Sequence, residues 1–157
     1  MTGTSAEPLS FIRPAAPKDA ARIAEIEIFN YRLSFYPIFQ NDWFYFDSLQ
    51  VPKLIQEYEK QPDLLKRSFV YDDGVVKGFL RLNGTQVEKL FVEPVLHGSG
   101  IGSLLLKHAV GMHGADHLWA LEKNTRAIAF YQKHGFHLTG ERTPEEDTNE
   151  YLVRMAR

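Results

Sequence analysis

The first helix that the hydrophobic pattern predicts begins at Pro17, because proline suits the first turn of a helix and apolar residues then recur every three or four positions. Its predicted buried face consists of Ile23, Ile26, Phe29 and Leu33. Before it, Leu9–Arg13 alternates weakly between apolar and polar residues and stops at Pro14, which predicts a short strand. A second helix is predicted over Pro52–Lys60.

Three strands are predicted in the middle of the chain, where runs rich in β-branched and aromatic residues are separated by turn residues. Ser68–Tyr71 and Val75–Leu82 flank Asp72-Asp73-Gly74, which is a strong hairpin signal. Asn83-Gly84 is a second such turn, and Gln86–Val92 follows it as the third strand. This part of the chain is therefore predicted to form antiparallel sheet.

A glycine-rich turn, Gly98-Ser-Gly-Ile-Gly102, leads directly into another predicted helix. Its predicted buried face consists of Ile101, Leu104, Leu105, His108, Ala109 and Met112. The remaining predicted elements are a strand over His117–Leu121, a helix over Asn124–His134 that Gly135 ends, and an antiparallel pair of strands, Phe136–Thr139 and Glu150–Met155. This order predicts one α/β domain of the mixed (α+β) kind over residues 9–157, preceded by a flexible segment at residues 1–8.

Composition and charge exclude several classes of function. The 157 residues contain no cysteine, which excludes disulfides, zinc–thiolate sites and a cysteine nucleophile. A net charge of −2 gives no positive field for nucleic acid, so no nucleic-acid partner is expected. Without a signal-like N-terminus or about 18 consecutive apolar residues, the chain is predicted to be cytoplasmic, with no membrane partner. His108, His113 and His117 are close in sequence, but glycines interrupt them, and no metal site is predicted.

The glycine turn is a candidate phosphate site, because N–H groups at a helix N-terminus converge on an anion and glycine lets the anion approach. A plain turn with glycines at positive φ is the alternative. No Lys-Ser or Lys-Thr follows the glycines, which excludes a P-loop. The spacing G-x-G-x-G, with only 35 residues left after Glu122, excludes a doubly wound dinucleotide fold.

Two longer stretches carry a resemblance to a known family. Val87–Pro94 with His97–Leu105 resembles motif A of the GNAT family of N-acetyltransferases, and Asn124–Phe136 resembles motif B, N-x-x-A-x-x-F-Y-x-x-x-G-F. The opening Ile12-Arg-Pro14 is also similar, so that the resemblance covers roughly residues 10–155. It implies acetyl-CoA as the cofactor and a mostly antiparallel sheet of about six or seven strands, with a V-shaped splay between strands 4 and 5. His97 departs from the family, in which Gln or Arg is usual at this position.

The resemblance also implies where the cofactor is bound. The pantetheine arm would pair with the strand that ends at Val92, and an N–H group near Phe91 or Val92 would hold the thioester oxygen. The glycine turn would hold the pyrophosphate. The implied cofactor-binding residues are Leu90, Phe91, Val92, His97, Gly98, Ser99, Gly100, Ile101, Gly102, Ser103, Asn124, Ala127, Phe130 and Tyr131.

Two residues are the catalytic candidates. Tyr131 would protonate the departing thiolate, because a phenol of pKa about 10 can protonate a thiolate whose acid has a pKa of about 8.5; the alternative is a core aromatic. Glu88 would take the proton of the amine, although it could equally be a surface carboxylate paired with a lysine. Glu25 and Glu122 are weaker candidates for the base. Because the chain has no cysteine, direct attack in a ternary complex is expected.

The expected acceptor is a primary amine of a small molecule, a polyamine or a peptide, and bacterial small-amine acetyltransferases are the most similar group. Residues 31–46 contain eight aromatics, of which Tyr31, Tyr36 and Trp43 are candidates for substrate binding; core packing is the alternative. The acidic segment over residues 140–150 would attract a cation or be a solvated hairpin. A homodimer is a further candidate assembly. The alternative functions are a non-catalytic acyl-CoA-binding regulatory module and an N-terminal acetyltransferase of the ribosomal-protein type.

Overall fold

The structure is a computed structural model that describes residues 11–157, so the segment predicted to be flexible lies outside the described residues. Seven strands form one sheet in the order β1-β2-β3-β4-β5-β7-β6. Neighbouring strands are antiparallel except β4 and β5, which are parallel. The predicted class is therefore confirmed. The strands are β1 (Ile12–Pro14), β2 (Ser68–Asp72), β3 (Val76–Asn83), β4 (Gln86–Val92), β5 (His117–Leu121), β6 (His137–Pro144) and β7 (Tyr151–Ala156).

Helices cover both faces of the sheet. They are α1 (Ala20–Asn30), α2 (Tyr36–Phe39), α3 (Val51–Lys60), α4 (Pro62–Lys66), α5 (Ile101–His113) and α6 (Thr125–Lys133). On one face, α5 packs on the sheet through Leu105, which lies in the same buried cluster as Leu80 and Val92. On the other face, α1 and α3 bury Ile23 and Tyr58 together with Phe79. The sheet therefore separates two hydrophobic cores.

Three predictions of buried residues are wrong. Phe29 and Leu33 are 38% and 48% exposed. Phe29 lies on the same side of α1 as Arg22 and Glu25, away from the buried face of the helix. Leu33 lies in a wide π-helical turn over Tyr31–Phe35, which rotates its side chain away from the α-helical face. Met112 is 72% exposed, because the last turn of α5 lies in solvent.

Strands β4 and β5 diverge after a single short contact. They pair only through Gln86 with His117 and Val87 with Leu118. The next residue, Glu88, is the extra residue of a β-bulge in the pairing with β3, and a bulge bends the strand that carries it. Beyond Glu88 the edge of β4 that faces β5 is open, which confirms the predicted V-shaped splay between strands 4 and 5.

Candidate active site

The glycine turn presents backbone N–H groups at the start of α5. Gly98 and Gly100 have φ of 86° and 94°, a left-handed conformation that glycine adopts without a steric penalty. The first intrahelical bond at this end joins the N–H of Leu104 to the carbonyl of Gly100 (3.1 Å). The N–H groups of Ile101, Gly102 and Ser103 therefore have no carbonyl partner in the helix and can receive an anion.

A cavity of about 360 Å³, here called the cradle cavity, lies between this turn, β4 and α6. Thirteen of the fourteen predicted cofactor-binding residues line it. The exception is Ser99, whose N–H donates to the carbonyl of Leu96 (3.1 Å). Arg126 and Lys133 also line the cavity and were not predicted from the sequence. These two residues add cationic side chains to the cavity that the glycine turn also lines.

The polar groups at the open edge of β4 belong to Leu90 and Val92. The N–H of Glu93 donates to the carbonyl of Lys77 on β3 (2.8 Å), and successive residues of a strand direct their polar groups to opposite edges. Phe91 therefore faces β3, which disfavours its N–H as the donor to the thioester oxygen. Leu90 and Val92 face the splay.

His97 occupies the position that departs from the family pattern. Its side chain is part of the wall of the cradle cavity. Its Nε2 lies 3.1 Å from Oδ1 of Asn30 and 3.0 Å from the carbonyl oxygen of Val92. Burial lowers the pKa of His97 below its ordinary value. Burial therefore favours the neutral imidazole, while the contact with the Val92 carbonyl partly opposes this shift in pKa.

Tyr131 lies on α6 at the junction of the splayed strands, with its ring edge-on to Phe130 and Phe136. No hydrogen bond to its hydroxyl is found within residues 11–157, and the residue lines two cavities. Burial raises the pKa of Tyr131 well above its ordinary value, so the phenol is protonated at neutral pH. The geometry provides a protonated hydroxyl that faces open space. Asn124 caps the same helix by accepting from the N–H of Ala127 (3.3 Å), as expected for its position.

A second cavity of about 670 Å³, here called the aromatic cavity, lies on the other side of the splay. Its walls include Phe39, Phe44, Tyr45 and Trp119, and its rim includes acidic residues of the β6–β7 connection. The two cavities share six lining residues, which are Phe35, Leu90, Phe91, Asn124, Ala127 and Tyr131. The splay therefore joins them.

Glu88 lines the aromatic cavity, as a candidate base should, but its carboxylate is engaged by an arginine. Nη1 of Arg67 lies 3.3 Å from Oε2 of Glu88, and the same guanidinium bonds Asp63 (2.9 Å). The salt-bridge partner of Glu88 is thus an arginine, whereas the alternative weighed from the sequence was a lysine. Glu25 and Glu122 lie outside both cavities and pair with arginines of their own.

A buried ionic cluster that the sequence did not reveal forms part of the wall of the aromatic cavity. The carboxylate of Glu27, 2% exposed, receives hydrogen bonds from Lys89 (2.6 Å), Tyr31 (2.7 Å) and Tyr58 (2.5 Å). Burial by itself would raise the pKa of Glu27, but Lys89 and the two hydroxyls lower it on balance. The hydroxyl of Tyr31 is therefore occupied by its hydrogen bond to Glu27, and only the ring of Tyr31 is available to a substrate.

Of the three predicted substrate-binding residues, only Tyr31 lines the aromatic cavity. Tyr36 packs on Tyr45 and Phe46 and donates to Asp42, while Trp43 is 66% exposed. Both lie outside the two cavities. Tyr36 follows a wide π-helical turn, which changes the direction of its side chain, and Trp43 lies beyond the end of α2, where Gln40 takes a left-handed conformation (φ 52°).

Two further observations concern classes of site. Within residues 11–157, no three His, Asp or Glu side chains lie close enough together to hold a metal ion. Among the helices of that same part of the chain, none has the length and apolar composition needed to cross a bilayer.

Comparison with known proteins identifies the family. The family model described as acetyltransferase (GNAT) domain matches residues 65–138. Rv2775 of Mycobacterium tuberculosis, named as a probable N-acetyltransferase, is 30% identical over 149 residues, which cover 82% of this chain and 80% of that protein. The chain belongs to the GNAT family of N-acetyltransferases. The family and fold predicted from the two motifs are thus confirmed, and acetyl-CoA is the co-substrate of this family.

Other similar proteins are consistent with membership of this chain in the GNAT family. Peptidyl-lysine N-acetyltransferase YjaB of Salmonella typhimurium is 38% identical over 71 residues, covering 45% of this chain. The matches span 49% of that protein and 65% of YjaB from Escherichia coli. The solution structure of apo YjaB from Escherichia coli has a TM-score of 0.67 at 22% identity and covers 92% of this chain and 95% of that one. PaiA N-acetyltransferase from Thermoplasma acidophilum, in complex with coenzyme A, has a TM-score of 0.66 at 18% identity and covers 93% and 98%. These structures share the fold.

Proposed function

We propose that this GNAT protein transfers the acetyl group of acetyl-CoA to a primary amine by direct attack within a ternary complex. The observation that supports this most strongly is the meeting of the two cavities at Leu90 and Tyr131. A thioester that enters from the cradle cavity and an amine that enters from the aromatic cavity would meet there. Such placement converts a bimolecular reaction into an effectively unimolecular one.

On the coenzyme side, the N–H groups that begin α5 hold the pyrophosphate, and Arg126 and Lys133 add positive charge beside it. The open edge of β4 then pairs with the pantetheine arm. Leu90 lies farther along β4 from the glycine turn than Val92 does. We therefore assign the N–H of Leu90 to the thioester oxygen, where one such donor contributes about 3 kcal/mol as charge develops.

In the chemical step the amine nitrogen bonds to the thioester carbon and the carbon–sulfur bond breaks. The ammonium group first loses one proton to Glu88 or to water and so becomes the neutral nucleophile. Tyr131 gives its phenolic proton to the sulfur, and the second proton that the nitrogen loses after attack passes through water to restore the phenol. Acetyl-CoA supplies the activated acetyl group. No residue of the chain needs to be acylated, in agreement with the absence of cysteine.

The acceptor that fits best is a cationic amine with an apolar stem, such as the side chain of a peptidyl lysine. Aromatic walls suit the stem, and within residues 11–157 the rim residues Glu145, Glu146 and Asp147 form no salt bridge that would neutralise them. The relatives named peptidyl-lysine N-acetyltransferases support the same class.

The test is turnover of acetyl-CoA with a lysine peptide, a polyamine and a lysine-free peptide that has a free N-terminal alanine. Release of coenzyme A can be followed with a thiol reagent, because the protein has no thiol of its own. We expect the lysine peptide to be the best acceptor. Binding of acetyl-CoA without turnover of any amine would contradict the proposal and favour a regulatory acyl-CoA-binding module, while preference for the alanine peptide would favour an N-terminal acetyltransferase.

A further inference from the structure

The carbonyl group of Val92, at the open edge of β4, receives two side-chain hydrogen bonds. Nδ2 of Asn30 lies 2.8 Å from its oxygen, and Nε2 of His97 lies 3.0 Å from it. A carbonyl oxygen has two lone pairs, so both acceptor sites of Val92 are occupied by the protein itself.

The contacts of this group determine the positions of its hydrogens. Nδ2 of Asn30 lies 2.8 Å from the carbonyl oxygens of both Ile26 and Val92, and since both can only accept, this atom must be the amide nitrogen. The remaining atom, Oδ1, therefore faces His97. Nε2 of His97 thus lies between two acceptors and must carry a proton, which in a neutral imidazole leaves Nδ1 bare.

The two side chains join three elements around the cradle cavity. Asn30 is the last residue of α1 and is 4% exposed, while His97 immediately precedes the glycine turn. Both line the cradle cavity next to Val92. A ligand that lies along the edge of β4 must therefore pass this pair.

We propose that Asn30 and His97 are positioning residues that set the register of the pantetheine arm on β4, an inference that rests on the proposed function. Because the Val92 carbonyl is occupied, an amide N–H of the arm must use the next carbonyl that faces the same edge, that of Leu90. The N–H groups of Val92 and Leu90 stay free for the coenzyme. A slip by two residues would shift the arm by about 7 Å and carry the thioester away from Tyr131.

Substitutions separate this role from a direct phosphate contact. His97→Ala should lower kcat about 10-fold to 100-fold while changing the Kd for acetyl-CoA by less than about threefold, because misplacement affects the reacting atoms more than the phosphates. His97→Gln keeps an N–H donor of similar reach and should restore kcat. Asn30→Ala should resemble His97→Ala, and the double variant should lose little more, since the two side chains act as a unit. His137→Ala, an exposed histidine outside both cavities, is the matched control.

A spectroscopic measurement on the unaltered protein tests the same geometry without relying on a folded variant. Long-range ¹H–¹⁵N correlation near neutral pH should show His97 protonated at Nε2 and bare at Nδ1. Protonation at Nδ1 would overturn the inference, as would unchanged kcat in His97→Ala or a loss confined to coenzyme affinity. Failure of the unaltered protein to bind acetyl-CoA in calorimetry would instead refute the proposed function.

Discussion

The substitution Tyr131→Phe separates chemistry from folding, because the hydroxyl it removes has no hydrogen-bond partner within the described residues. The ring contacts with Phe130 and Phe136 remain, so the free energy of unfolding should change by less than about 0.5 kcal/mol. General acids contribute about 10²-fold to 10⁴-fold to a rate, and a thiolate leaves more readily than most groups. We therefore expect the lower limit, a loss of about 100-fold in kcat, which corresponds to about 2.7 kcal/mol.

The pKa of Tyr131 sets the pH range for this experiment. Because burial raises that pKa above 10.0, the hydroxyl keeps its proton throughout the range from about pH 7 to pH 9, and its loss should lower kcat equally across that range.

The assay is steady-state release of coenzyme A, with calorimetry for acetyl-CoA and a thermal melt for stability. Tyr71→Phe is the matched control, since Tyr71 is 7% exposed and lies outside both cavities. Unchanged kcat in Tyr131→Phe would refute the assignment and leave Tyr131 as a packing residue. An equal loss in Tyr71→Phe would point to a general effect of removing a hydroxyl.

Three further perturbations test separate parts of the structure. Gly100→Val should abolish the stabilisation that acetyl-CoA gives in a thermal melt, because valine does not tolerate a φ of 94°; Gly111→Ala, in the last turn of α5 with open space around its Cβ, should keep it. Burial raises the pKa of Tyr45 to about 12 and that of Tyr58 further. Since the unfolded chain ionises near pH 10 and the folded chain keeps these protons, stability should be full below pH 10 and then fall by about 1.4 kcal/mol per pH unit for each phenol, as chemical denaturation would measure. Asp147→Lys should raise the KM for a lysine peptide several-fold at low salt and little at high salt, and a salt-independent effect would count against electrostatic attraction.

The parts of the site that depend on local sequence could be predicted. The glycine turn needs positive φ at Gly98 and Gly100 and a helix directly after it, and both requirements are visible in the residue order. The splay was implied by the family resemblance, and the structure adds its local cause, the bulge at Glu88.

The acceptor side could not be predicted equally well, because its geometry depends on departures from regular helix. Periodicity assumes 3.6 residues per turn, whereas the two π-helical turns on either side of α2 are wider. Each wide turn rotates the face on which later residues lie. Tyr36 follows the first wide turn and Trp43 lies beyond the helix end at Gln40, so neither lines the aromatic cavity, although composition made both as good candidates as Tyr31.

The roles of His97 and Asn30 follow from the splay rather than from their own positions in the sequence. Once β5 leaves the edge of β4, the polar groups of Leu90 and Val92 lose the partners that a continuous sheet would supply, and buried polar groups need replacements. Side chains from α1 and the glycine turn satisfy the Val92 carbonyl, while the N–H groups at the same edge stay available. The protein itself therefore completes part of the gap in the sheet, and in the proposed function the pantetheine arm would complete the rest. The proposed positioning role also accounts for a histidine where the family usually has Gln or Arg: its N–H bonds the carbonyl of Val92 at the sheet edge, while the backbone of the glycine turn would hold the phosphates.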